Sequence, residues 1–409
     1  PACAQIDRQK ARGDGFYDVE NVISDPFNII EEWQFVNATT WTASDTLTVK
    51  NIASYGEFRE RFWMNIGGEN LILANGPNAG KSFSSTILRN APGQYGVGQS
   101  TFTEELQLQG NSADGRLIWQ AGGYLEISKP FKGGNTGYSE VGTTCIDSHK
   151  FQCEAIIPQS LASLSILQNE IAFRNIGLYG QASYKFSDQF GITAGLRYTI
   201  DRTKAQGYRI SFTFPTPNTP AGFCSNPAIL PGVRTSNLKD CRGPGIVQKS
   251  SKPTWTLSAE YKPVPDVMVF AKYSRGYRQG GINPSNIGLE AWNPEKVDTF
   301  ELGAKSSFHG AVRGYFNITG FYNDFTDQQV QATAIGKPGS GIPGARLILN
   351  AGKSRIYGIE VDASVTPVEG LKLDAGYAYL NTKLLEFVPP TLTAGSPYLT
   401  VLPQVTGGD

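Results

Sequence analysis

The sequence predicts an all-β protein, a transmembrane antiparallel β-barrel, on three observations. Between Pro253 and Phe387 the chain repeats one unit three times: a long strand of alternating apolar and polar residues, a very short turn, a second such strand, then a long Gly/Pro-rich loop. Short and long connections alternate, which gathers the long ones on one rim. No apolar run reaches the about 20 residues that a membrane helix needs. A hydrophobic content of 40% fits strands of which half of each is polar.

Side chains of a strand point alternately to its two faces, so each strand is read from its period of two. Segments 33–43 and 46–64 meet at Ser44-Asp45, and 101–110 and 116–128 form a hairpin across Asn111–Gly115, rich in turn formers. Segment 176–187 turns at Ser187–Gln189 into 190–206, where Phe190, Ile192, Ala194, Leu196, Tyr198 and Ile200 face away from Thr193, Arg197, Thr199 and Asp201. In the next strand Trp255, Leu257, Ala259 and Tyr261 oppose Thr256, Ser258 and Glu260. Two prolines that cannot donate to a ladder turn the chain over Pro263–Asp266. The return carries Val267, Val269, Ala271 and Tyr273 on one face and Lys272, Ser274 and Arg278 on the other. Phe300, Leu302, Ala304 and Phe308 then oppose Glu301, Gly303, Lys305 and Ser307, with a turn at His309-Gly310 and a return through Val312, Phe316, Ile318 and Tyr322. Tyr357, Ile359, Val361, Ala363 and Val365 turn at Pro367–Gly370 and return through Leu371, Leu373, Ala375, Tyr377 and Tyr379.

About twelve strands follow from the period-two rule. The long connections are 65–99, 129–175, 207–252, 280–295 and 329–349, with 1–32 and 388–409 as open ends. Structureless loops beyond roughly 15 residues are usually functional. All five cysteines, Cys3, Cys145, Cys153, Cys224 and Cys241, lie in these connections or the leading end. Thiols confined to one rim suggest that this rim is oxidising, as outside an outer membrane. The expected disulfides are Cys145–Cys153 and Cys224–Cys241, which leaves Cys3 with a partner expected in sequence outside the chain. A zinc reading of Cys145, His149 and Cys153 needs a fourth ligand, and the disulfide is preferred.

Other classes are weakened by composition. Thirty-six Lys and Arg balance thirty-six Asp and Glu, which removes any compositional case for nucleic acid. The two histidines, His149 and His309, lie far apart, and no catalytic constellation is present, so no enzyme, cofactor or metal site is expected. Asn75–Ser82 imitates a phosphate-binding loop, but Asn75 stands where the first glycine is needed. Asn37 and Asn317 match glycosylation acceptors but fall inside strands, where they read as ordinary polar positions.

Four segments carry a family resemblance: Ala271–Gly281, Asn293–Lys305, Gly320–Val330 and Tyr357–Val361. They look like successive strand motifs of TonB-dependent outer-membrane receptors, and Phe102–Leu108 and Thr193–Tyr198 resemble earlier strands of the same barrel. The resemblance implies a barrel of the 22-stranded receptor type, an N-terminal plug inside it, and active import of scarce ligands driven through the TonB complex. No plug is recognised in 1–409, no signal peptide precedes Pro1 and no closing strands follow Phe387. The expectation is an incomplete barrel, with about ten strands of the family's complement missing and no transport by the piece alone.

A ferric siderophore or related iron complex is the expected ligand, in the outer membrane of a Gram-negative bacterium. Carbohydrate or cobalamin uptake are alternatives within the class, and a passive porin or surface-binding barrel outside it. Arg275, Tyr277, Arg278 and Trp292, near the loop rim, are the candidate ligand-facing residues, because arginine's planar fork suits carboxylates and catecholates. The competing reading pairs Arg275 and Arg278 with Glu301 or Asp324 as a structural wall. Tyr184, Phe186, Tyr198, Trp255, Tyr261, Tyr273, Phe308, Tyr377 and Tyr379 are assigned to interfacial lipid anchoring.

Overall fold

The computed structural model describes residues 2–84, 87–90, 93–131, 134–159, 161–225, 233–284, 286, 288–337, 344–392 and 396–403. Twelve long strands form one antiparallel sheet in chain order. They are β1 (Phe27–Ser44), β2 (Leu47–Asn65), β3 (Val97–Asn111), β4 (Leu117–Pro130), β5 (Ser163–Lys185) and β6 (Phe190–Thr216), then β7 (Ile246–Val264), β8 (Val267–Arg278), β9 (Glu295–Phe308), β10 (Arg313–Gly336), β11 (Gly344–Val368) and β12 (Leu371–Phe387). Each pairs with the next through a tight turn or a long excursion, and among the described residues β1 and β12 are each paired along one edge only.

Register across the sheet carries the alternation from strand to strand. Leu178 lies opposite Tyr198, Leu257 opposite Tyr273, and Tyr273 opposite Phe300, so the apolar sides line up as one face. That face is bare: Leu178 is 65% exposed and Leu302 69%. Apolar surface this extensive is not left in water by a folded protein, and it suits lipid. The opposite face carries hydrogen-bonded polar ladders such as Ser183 with Thr193 and Thr299 with Asn323, both 2.8 Å.

The long connections are not structureless, which corrects the sequence reading. β5 starts at Ser163 and β6 continues to Thr216, while 129–175 also holds strand Asn135–Val141, which pairs on β5, and a hairpin of Thr143–Asp147 with Gln152–Ala155. Strand Thr219–Cys224 pairs on the end of β6, and β10 and β11 run on together to Ile335 opposite Gly344. Beyond the bare apolar band the same strand face is covered by protein. Leu164, Ile166, Ile210, Phe212 and Phe214 are buried against Tyr138 and both disulfides, Cys145–Cys153 and Cys224–Cys241. A second cap buries Ala332, Ala334, Leu347 and Leu349 against Tyr398 and Val401. These two cores explain why the sheet extends past the band: the extra strand pairs gain packing partners on a face that would otherwise meet water.

The leading segment, read as an open end, contains a helix, α1 (Ala2–Arg12). Arg8 and Arg12 tie it to Glu20 at 2.7 and 2.9 Å, and Cys3 on it is a free, exposed thiol. The imitation phosphate loop is a turn with Gly76 and Gly80 at φ +89° and +84°; Asn78 Nδ2 donates to the Ile156 carbonyl at 3.0 Å and Lys81 pairs with Glu154. Its polar residues fasten one cap segment to another.

Candidate ligand-facing wall

The polar face of β3 to β9 concentrates its aromatic and charged groups around Arg197. Strand alternation puts Arg197 on the side of Thr199 and Asp201, opposite Tyr179 on β5. Its guanidinium lies 5.4 Å from the Tyr124 ring centroid and 5.9 Å from that of Tyr179, and its Nε donates to Thr199 Oγ1 at 3.0 Å. The two tyrosines are held in turn by carboxylates: Tyr124 donates to Glu126 at 3.1 Å and Tyr179 donates to Glu105. Two glycines make the room. A Cβ on Gly177 would come within 2.4 Å of Arg197 Nη2, and one on Gly122 within 2.6 Å of the Tyr179 hydroxyl.

Beside this cluster is a recess of about 400 Å³ lined by Glu126, Asn175, Arg197, Asp201, Tyr277 and Gln279. Asn175 donates to Asp201, which is 3% exposed. Among the described residues Arg197 has no carboxylate within ion-pairing distance. A cation within reach of two ring faces, with no carboxylate partner, is placed to meet a planar anion. The sequence reading put Arg197 on the polar face and did not single it out. Its signal was a lone arginine between threonines on one side of a strand.

The four residues singled out near the rim are separated by the fold. Arg278 faces the polar side, 64% exposed, with Nη1 3.4 Å from Glu295 Oε1. Tyr277 reaches the hydroxyl of Ser250 at 3.2 Å, and Ser250 stands opposite Asp201 on the inner face. Trp292 is packed over Gly281, where a Cβ would come within 2.2 Å of its ring. Arg275 is on the other face. It stands opposite Trp255 and Asp298, its Nε and Nη2 donate to Asp298 at 2.7 and 2.6 Å, and it lies 4.6 Å from the Trp255 ring. Two residues along the same side, Tyr273 stacks on Phe300 at 4.9 Å. Arg275 therefore closes an aromatic row on the apolar face through its guanidinium, and it also borders the recess beside Arg197.

The pairing proposed as the competing reading also has other partners. Asp298 and Glu295 take the two arginines, Lys272 takes Glu301 at 2.9 Å, and Asp324 stands opposite Arg355 in the same outer row as Arg275. Cross-strand register decides this: Asp298 is the direct neighbour of Arg275, whereas Glu301 is the neighbour of Lys272.

The model of the family described as TonB dependent receptor-like, beta-barrel matches residues 5–407. The chain belongs to the TonB-dependent receptors. A curated relative, an uncharacterized TonB-dependent receptor of Haemophilus influenzae, is 26% identical over 214 residues, 52% of this chain and 50% of that protein. Among solved structures, the ferric yersiniabactin uptake receptor FyuA of Yersinia pestis is similar with a TM-score of 0.60 at 15% identity, over 96% of this chain and 49% of that one. The siderophore receptor PiuA of Acinetobacter baumannii is similar with a TM-score of 0.57 at 15% identity, over 92% and 50%. The receptor chain thus spans about half the length of the relatives it matches.

Membership assigns the two faces of the receptor wall. The family is one of outer-membrane β-barrels, so the bare apolar side meets lipid and the polar side, with Arg197, lines the interior. Family and fold are those of transport receptors, which agrees with the lack of a catalytic motif in the sequence.

Proposed function

We propose that this wall belongs to a receptor for TonB-energised uptake of a ferric siderophore or related iron complex across a Gram-negative outer membrane. The observation that carries the ligand class is Arg197, set on the inner face within 5.4 Å of the Tyr124 ring centroid and 5.9 Å of that of Tyr179, with no carboxylate partner among the described residues. Iron chelates of this kind present carboxylate or catecholate oxygens, which a guanidinium meets in a planar, two-point contact. Arg278 adds a second inward cation near the loop rim. The similar folds of two receptors named for siderophores support the same reading. Energy coupling runs through the TonB complex by way of an N-terminal plug region.

The test uses the full-length receptor in a strain lacking its other iron receptors, fed a panel of ferric siderophores under iron limitation. Growth on at least one chelate, lost with the receptor gene, is the expected result. Receptor-dependent uptake of cobalamin or an oligosaccharide, with no iron chelate taken up, would overturn the ligand class.

A further inference from the structure

The outer face of β5, β6 and β7 changes character in three steps along the strands. On β6 the exposed apolar residues Leu196, Tyr198 and Ile200 are followed on the same side by exposed Arg202 and Lys204, and then by Ile210, Phe212 and Phe214 buried under the cap. On β5, exposed Leu178 and then Ile176 give way to exposed Arg174, followed on the same side by Ala172, by half-buried Glu170, which accepts from Gln168 Nε2 at 3.2 Å, and then by buried Ile166 and Leu164. Successive residues on one side are about 6.7 Å apart, so the cations occupy a narrow belt between the lipid-facing band and the protein cap.

The register concentrates this belt. Arg174 stands directly opposite Arg202, and Arg202 directly opposite Lys249, so three cations on three adjacent strands occupy one row. Lys249 is exposed as well, and the next row adds Lys204. None of the four forms an ion pair among the described residues, and the flanking inner-face residues Asp201 and Thr203 are buried on the other side of the sheet. Like charges directly across a ladder destabilise it unless an anion sits between them. Because the chain as a whole balances its charges, the row is a local segregation and not a by-product of a basic protein.

We propose that Arg174, Arg202, Lys204 and Lys249 form a docking site for the phosphate of a membrane lipid on the outer surface of the receptor. Continuity with the apolar band identifies a lipid as the occupant. A lipid whose acyl chains lie on Leu178, Leu196 and Ile200 presents its headgroup at the height of Arg174 and Arg202. Two guanidiniums and two ammoniums supply forked and point-charge donors to one phosphate. The inference rests on the wall standing in a membrane and is independent of what the receptor imports.

The test is lipid retention by the purified full-length receptor, read by native mass spectrometry, with lipid A, a diphosphorylated glycolipid, as the probe. The wild-type receptor is expected to keep lipid A through detergent washing and to release it as salt is raised. The Arg174→Gln/Arg202→Gln/Lys249→Gln receptor is expected to bind it about a hundredfold more weakly. The charge-keeping Arg174→Lys/Arg202→Lys receptor is expected to retain it. Equal retention by the wild-type and glutamine variants, or equal retention of dephosphorylated lipid, overturns the proposal. Full displacement of lipid A by millimolar inorganic phosphate also overturns it, since the site would then read phosphate without lipid. Should the glutamine variant not fold, salt release from the wild type still decides: retention of lipid A unaffected by salt refutes an electrostatic site.

Discussion

Arg197 lies so close over Gly177 of the neighbouring strand that a methyl group on the glycine would sit 2.4 Å from its Nη2. The absence of a side chain at 177 leaves room for the guanidinium beside the rings of Tyr124 and Tyr179. Gly177→Val therefore displaces Arg197, and in the full-length receptor the affinity for the imported ligand is expected to fall about tenfold, equivalent to ~1.4 kcal/mol. Gly180→Ala on the same strand is the control, because its Cβ would find nothing nearer than 3.7 Å. Isothermal titration of both variants against the transported chelate checks this; equal affinities would remove Arg197 from the ligand site.

The two faces predict opposite tolerance to charge. Leu302→Arg places a cation on the lipid side in the middle of β9, and the expected cost is about 2–4 kcal/mol. Thr299→Arg, on the inner side of the same strand, is expected to cost less than about 1 kcal/mol because the group stays hydrated. Chemical unfolding of the full-length receptor in lipid measures both.

Phe212 is 1% exposed in the core of the first cap and packs against Phe151, the two rings tilted by 50° with 4.5 Å between centroids. Phe212→Ala is expected to cost the cap about 3–5 kcal/mol through the cavity it leaves. The loss should appear as faster amide exchange in Asn135–Val141 and Thr219–Cys224, with the lipid-facing parts of β5 and β6 unchanged, because the cap packs on their ends only.

Each disulfide closes a loop of that cap, spanning 8 residues for Cys145–Cys153 and 17 for Cys224–Cys241. The longer loop has more chain entropy to lose, so Cys224→Ser/Cys241→Ser is expected to destabilise the cap by ~3 kcal/mol and the Cys145→Ser/Cys153→Ser pair by less. Limited proteolysis across 219–241 reads the difference.

Glu140, 2% exposed and paired with Arg89, lies in the cap outside the lipid-facing strands. Burial pushes its carboxyl above the ordinary range, more than the Arg89 charge draws it down. The folded cap therefore keeps a proton that the opened cap has released. Its contribution to stability falls as pH rises from the ordinary carboxylate range to the raised value, and is level above that. Amide exchange in Asn135–Val141, followed from about pH 4 to about pH 8, is expected to quicken by more than the intrinsic rate over this window. Glu140→Gln should remove the excess.

Much of the wall was legible because a strand's period of two is a local property. The turns at Ser44-Asp45, Pro263–Asp266, His309-Gly310 and Pro367–Gly370 all fall between paired strands. Both disulfides pair as their loop-local spacing suggested. Arg275 shows what parity alone leaves open: it shares the parity of Tyr273 and its guanidinium lies by Trp255 and Asp298, yet it also borders the recess beside Arg197. The extension of β6 was also written in the alternation of Ile210, Phe212 and Phe214, but Gly207 interrupts the pattern just before it.

By itself the sequence determined the all-β class, the strand order, which residues share a side, and the family. Each of these depends on neighbours along the chain or one hairpin away. The tertiary structure alone decided what covers a given side at a given height. Leu196, Arg202 and Phe212 have one parity on one strand, yet the first faces lipid, the second lies in the basic belt and the third is buried under a cap built from Tyr138, Cys153 and Cys241. Those partners come from segments far apart in sequence, and only cross-strand register brings them to the same level.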